Sequence, residues 1–128
     1  MTQRQITTDR APAPAGRYSQ AIEANGLVFV AGQGPIHPET GEITGDGIAS
    51  QTRLTLANIE AILEEAGSSM DRVVKTTVHL ADRADFPGFN EVFAAAFSDP
   101  PPVRTTTISG LMGILVEIDV IALAGRGE

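Results

Sequence analysis

The hydrophobic positions repeat with two different periods along the chain. Over residues 48–66, Ile48, Thr52, Leu56, Ile59, Leu63 and Ala66 recur at helical spacing, and Ala49 and Ile62 widen the stripe. This pattern predicts one helix over 47–66 with a single buried face. Gly67 stands where a left-handed residue closes a helix. In "DFPGFNEVFAAAF", Phe86, Phe89, Phe93 and Phe97 repeat at spacings of three and four, predicting a second helix over 86–97 whose aromatic stripe packs into the core. Pro87 is tolerated in its first turn, where N–H groups lack partners anyway, and "SDPPP" ends it.

Alternation marks the strands. "RVVKTTVHL" alternates and is rich in β-branched residues, which predicts a strand over 72–80. Two β-like runs flank Asn25-Gly26, predicting strands near 18–24 and 27–32 joined by a type I′ turn. Gly32 and Gly34 then mark a bend or a close approach, and "HPETGEITGDG" is turn material. Two last strands are expected near 103–108 and 114–124. Residues 1–16 read as an arm rather than core, with "ITT" able to add a short edge strand. The order β-β-α-β-α-β-β predicts an α+β sandwich in a single domain over 1–128, with one mixed sheet and two helices on one face. The last strand is apolar on both sides apart from Glu117 and Asp119. Its outer side needs cover, and a second copy of the chain would supply it; a homo-oligomer is expected.

Charge and composition narrow the chemistry. Nine Lys and Arg stand against sixteen Asp and Glu, for a net charge of −7. The cations form no cluster, which argues against nucleic acid as the main partner. The chain has no cysteine, so thiolate chemistry and cysteine-based metal sites are excluded. No run is apolar enough to span a bilayer, and the first residues lack a signal-peptide core; a soluble cytoplasmic protein is expected. His37 and His79 have no ligand-like companions, the serines lack a nucleophile-elbow context, and "GQGPIHPETG" is no dinucleotide fingerprint. Glu60, Glu64 and Glu65 read as a solvated helix face.

Two charged residues remain of interest. Arg104 opens the strand at 103–108, and Glu117 lies with Asp119 in a strand that is otherwise apolar, where a carboxylate is costly unless paired or hydrogen-bonded. If the last two strands form a hairpin, both residues fall near one end of the sheet. The pair then forms either a mutual salt bridge or a compact site, in which Arg104 holds a carboxylate by its planar fork and Glu117 orients water or moves a proton.

Seven segments, "GRYSQA", "VFVAGQGPIHPETGEI", "QTRLTLANIEAILEEAG", "VVKTTVHLAD", "DFPGFNEVF", "PPPVRTTT" and "VEIDVIAL", occur in order over nearly the whole chain. Together they resemble the Rid (YjgF-type) family of reactive intermediate deaminases. The resemblance implies a chorismate-mutase-like fold and a homotrimer with clefts between subunits. It further implies hydrolysis of enamine or imine intermediates, such as 2-aminoacrylate, to 2-keto acids and ammonia without cofactor or metal. It assigns carboxylate binding to Arg104, water orientation to Glu117, and substrate contacts to Tyr18, Gly32 and Asn90. Thr106 joins the substrate contacts at a position where some members carry cysteine. Departures from the family pattern are Arg17 for proline, Ala31 for serine, and a short 109–115 loop, all of which bear on specificity. Other readings are a deaminase for a pathway-specific enamine such as an aminomuconate-like compound, a non-catalytic trimer that binds small carboxylates, and a ribonuclease, the last disfavoured by charge.

Overall fold

The structure, a computed structural model, describes residues 2–125. Its elements are β1 (Gln3–Ile6), β2 (Ala21–Ala24), β3 (Leu27–Gln33), α1 (Ile48–Glu65), β4 (Val73–Leu80), α2 (Phe86–Ala96), β5 (Val103–Ile108) and β6 (Val116–Leu123). The strands form one mixed sheet in the order β1-β2-β3-β6-β4-β5. Only the β4–β5 pair is parallel. The fold is α+β, as the hydrophobic periods predict.

Local chemistry sets the turns. Asn25 and Gly26 have φ of 54° and 80°, the pair of positive values a type I′ hairpin turn requires. At the end of α1, Gly67 has φ of 81°. Its N–H donates to the Glu64 carbonyl at 3.0 Å, and the Ser68 N–H donates to Leu63 at 2.8 Å. This double bond pattern satisfies carbonyls that the helix end would otherwise leave open.

The core lies between the helices and one face of the sheet. Val116, Ile118, Val120 and Ala122 of β6 point into it beside Val28 and Val30 of β3 and Val78 and Leu80 of β4. Ile59, Ile62 and Leu63 of α1 and Phe89 and Phe93 of α2 close it from above. On the opposite face, Leu27 aligns with Leu123 and Phe29 with Ile121. Phe29 and Leu123 each leave 42% of their surface exposed, an apolar patch that one chain leaves uncovered.

Two sequence expectations require correction. First, β5 and β6 do not form a hairpin, because β4 lies between them. A strand followed by a helix returns parallel to itself through a crossover, so β4–α2–β5 makes β5 the outer strand, and the chain crosses over β4 to reach β6. Secondly, the N-terminal segment is not a free arm. Ile6 and Ala11 are buried, and β1 pairs with β2. The Gln20 amide ties the segment down: its oxygen accepts from the Thr8 N–H at 2.7 Å, and its nitrogen donates to the Thr8 and Pro12 carbonyls at 3.0 and 2.9 Å. The Pro/Ala-rich stretch has no period of its own, so the burial of Ala11 at its start left no trace in the pattern.

Helix α1 buries four polar side chains, Gln51, Thr52, Thr55 and Asn58, and the two amides among them reach out to neighbouring segments. Asn58, only 2% exposed, donates to the carbonyls of Gly34 and Ile36 at 3.1 and 2.9 Å. The Gln51 side-chain oxygen accepts from the Leu115 N–H at 2.9 Å, and its nitrogen donates to Gly45 at 3.0 Å. These bonds fix the segment after β3 and the entry to β6. Replacing Asn58 with Ala leaves two carbonyls short of a donor and is expected to cost about 1–3 kcal/mol, read as a lowered midpoint in urea unfolding with an unchanged m-value.

Candidate functional site

The sequence-predicted site residues fall into two groups on opposite faces of the sheet. Arg104 aligns with Thr76 across β5–β4, and Thr76 aligns with Val120 across β4–β6. Thr76 and Val120 are buried under the helices, so Arg104 lies on the helix side. Glu117 aligns with His79, and His79 with Thr107, which places Glu117 on the outer side. The two residues are also offset by two strand spacings, roughly 10 Å, and by three residues along the strands, roughly another 10 Å. Within one chain they form neither a salt bridge nor a common site.

The first group surrounds Arg104. Its guanidinium donates to the Asn90 side-chain oxygen at 2.8 Å. The guanidinium carbon lies 5.5, 5.4 and 4.9 Å from the ring centres of Phe86, Phe89 and Phe93, within cation–π range. Helical geometry produces this box, because residues 86, 89, 90 and 93 share one face of α2 at spacings of three and four. The aromatic stripe is therefore more than core filling, contrary to its sequence reading: Phe89 and Phe93 are buried, while Phe86 stays partly exposed beside the cation. The start of β5 is held where the Thr76 hydroxyl donates to the Val103 carbonyl at 3.0 Å. Thr106 is two residues further along the same strand, so its side chain leaves the same face. Among the described residues, the ion pairs are Arg4 with Glu23 and Arg10 with Glu64 and Glu65. Arg104 has no protein counterion among them.

The second group surrounds Gly32. A β-bulge between Val30 and Gln33 interrupts the pairing of β3 with β6, and Gly32 lies within it. A side chain at Gly32 would begin 2.5 Å from the Glu117 Oε2 atom. Absence of a Cβ thus lets the carboxylate lie directly against the backbone. Tyr18 belongs to the loop before β2, not to a strand as the sequence predicted, and is 50% exposed. Its hydroxyl accepts from the Ala15 N–H at 3.1 Å. Tyr18, Gly32, Gln33 and Gly34 line a cleft of about 430 Å³ together with Pro12 and Pro14. Asn58 and Gln51, which the apolar stripe concealed, hold the two segments that position this group.

Of the remaining candidates, His79 is the cross-strand neighbour of Glu117. His37 caps its own turn, its Nδ1 accepting from the Glu39 N–H at 3.1 Å. His79 Nδ1 is 2.8 Å from the Ser109 hydroxyl. Arg17 is exposed beside Tyr18, and Ala31 is partly buried next to Gly32. Among the described residues, no three or more His, Asp or Glu side chains converge to hold a metal ion, and no helix is long and apolar enough to cross a membrane.

A family profile described as endoribonuclease L-PSP matches residues 8–124. The chain belongs to this family, whose members include the Rid proteins. A RutC family protein of Pyrococcus abyssi is 48% identical over 124 residues, covering 95% of this chain and 98% of its own. The chloroplastic Reactive Intermediate Deaminase A of Arabidopsis thaliana is 40% identical over 119 residues, 93% of this chain and 64% of that protein. Among solved structures, Escherichia coli TdcF with bound serine superposes with a TM-score of 0.87 at 34% identity, covering 95% of this chain and 99% of that one.

Gly32→Ala is expected to displace the Glu117 carboxylate while leaving the fold nearly as stable, since the clashing atoms are the end of a flexible side chain. Thermal unfolding should show a change within about 0.5 kcal/mol, and a crystal structure of the variant should show the Glu117 side chain rotated away from the bulge.

Proposed function

We propose that this chain hydrolyses 2-imino acids and their enamine tautomers to 2-keto acids and ammonia, in clefts between the subunits of a homotrimer. The observation that carries this reading is the part-buried Arg104 guanidinium, which has no counterion among the described residues. One of its N–H groups is used by Asn90; a guanidinium has five, and the rest are left to grip a carboxylate. A small 2-imino acid supplies that anion and places its electrophilic C2 next to it.

The reaction needs little beyond position and a water. Protonation of the imine nitrogen raises the electrophilicity of C2. Water adds its oxygen to C2, one of its protons moves to nitrogen, and the C–N bond breaks as the second proton leaves the oxygen, which releases ammonia and the 2-keto acid and returns the proton that activated the imine. No electrons leave or enter, so no redox partner is needed. Glu117, resting against the Gly32 backbone, is the group suited to orient the water and relay its proton, assistance worth about 10²–10⁴-fold. Asn90 and the aromatic box hold Arg104 in one orientation, so the clamp is set before substrate arrives.

Arg104 and Glu117 cannot meet within one chain, and this geometry supports an assembly in which one copy's β5 edge adjoins another copy's outer face. That outer face carries the apolar patch of Phe29 and Leu123, and β5 exposes Val103, which is 64% accessible. Uncovered edges and apolar patches of this kind favour association. The same guanidinium would also serve a trimer that only binds small carboxylates, and turnover separates the two readings.

The assay generates 2-iminobutyrate or 2-iminopropionate in situ with an amino acid oxidase and traps it with semicarbazide. The protein should suppress the trapped product. Loss of two charge-assisted hydrogen bonds, about 1.5–3 kcal/mol each, predicts that Arg104→Ala lowers kcat/KM by about a hundredfold or more with unaltered circular dichroism. Arg104→Lys should fail to restore it, since an ammonium lacks the planar fork. Full activity in Arg104→Ala would refute the mechanism; binding of 2-ketobutyrate without suppression would favour the non-catalytic reading.

A further inference from the structure

A hollow of about 490 Å³ opens beside β5, lined by Leu80, Arg83, Phe86, Pro87, Thr106 and Ile108. Its volume suits a small organic molecule or part of one. It adjoins the Arg104 box through Phe86, which lines the hollow and whose ring centre lies 5.5 Å from the guanidinium carbon. Thr106 and Ile108 follow Arg104 at alternate positions of β5, so all three side chains leave one face, at steps of roughly 7 Å. Their parallel partners Val78 and Leu80 are buried, which gives the hollow a firm floor.

We propose that this hollow is a side-chain subsite that selects 2-imino acids with branched or aromatic apolar side chains over the alanine-derived imine. The proposal rests on Arg104 binding the substrate carboxylate. With that end fixed, a methyl substituent stops short of Thr106, about 7 Å along the strand. The side chain of a leucine- or phenylalanine-derived imine reaches it and lies against Phe86 and Ile108. Four of the six lining residues, Leu80, Phe86, Pro87 and Ile108, are apolar and gain by burying apolar surface. The Thr106 hydroxyl is the only neutral polar side chain among them. Arg83 belongs to a short 3-10 turn, Arg83–Asp85, and is solvent-exposed, where a long charged side chain keeps its head group hydrated at little cost.

The test measures kcat/KM with the full chain for imines generated by amino acid oxidases from alanine, leucine, phenylalanine and glutamate. The leucine- and phenylalanine-derived imines should exceed the alanine-derived one by about tenfold or more, the usual discrimination of an apolar pocket. Ile108→Ala should reduce that ratio about tenfold, whereas Ile108→Leu should keep it. Ile108 is exposed in the chain, so neither variant threatens folding. The subsite is refuted if the alanine-derived imine is preferred or the ratio survives Ile108→Ala. It is equally refuted if the glutamate-derived imine is preferred and Arg83→Ala removes that preference. Turnover without discrimination overturns the subsite alone; no turnover of any imine overturns the deaminase reading and the subsite with it.

Discussion

One strand, β4, stands between the guanidinium of Arg104 and the carboxylate of Glu117, and the sheet itself keeps them on opposite sides. The chain's own crossover sets part of this order: α2 connects β4 to β5, so the two strands lie parallel, and β5 is an outermost strand of the sheet. Arg104 is thereby placed on an edge, facing the helices. Glu117 is placed near the middle of the sheet, facing away from them. A site that uses both requires a second copy, and the apolar outer face offers a place for one.

Each half of that site is rigid for a different reason. A lone cation is costly to remove from water, yet Arg104 is partly buried with three aromatic rings and the Asn90 amide around it. Ring faces offset part of the desolvation at about 0.5–2 kcal/mol, and they leave the remaining N–H groups free for an anion. Around Gly32 the rigidity comes from α1. Asn58 and Gln51 occupy positions that hydrophobic residues would fill at lower polar cost, and their amides instead anchor the backbone beside Gly32 and ahead of Glu117. The core of the chain and the shape of its site are therefore coupled through two side chains.

The periodic elements were readable from the sequence because each has one buried face. The 47–66 and 86–97 stripes correspond to α1 and α2, the alternating 72–80 run to β4, and Asn25-Gly26 to its turn. Strand 103–108 coincides with β5. The failures share a physical cause: they concern contacts between elements. Pairing of β5 with β4 instead of β6 depends on the crossover, which the alternation within either strand does not report. Burial of Ile6 accompanies the pairing of β1 with β2, and that of Ala11 the hydrogen bonds of the Gln20 amide. The roles of Asn58 and Gln51 were hidden because a polar residue within an apolar stripe reads as an interruption. The aromatic box had a signal in the shared spacing of Phe86, Phe89, Asn90 and Phe93, but only the position of β5 shows that a cation faces it.

The division of the site between copies is tested most directly by mixing inactive subunits. Arg104→Ala and Glu117→Ala homo-oligomers would each be prepared, unfolded and refolded together, and assayed for suppression of trapped 2-iminobutyrate. Sites assembled from the intact Arg104 of one copy and the intact Glu117 of its neighbour should restore activity that neither variant has alone. Activity that stays absent in mixed oligomers, verified by mass spectrometry to contain both subunits, would contradict the account.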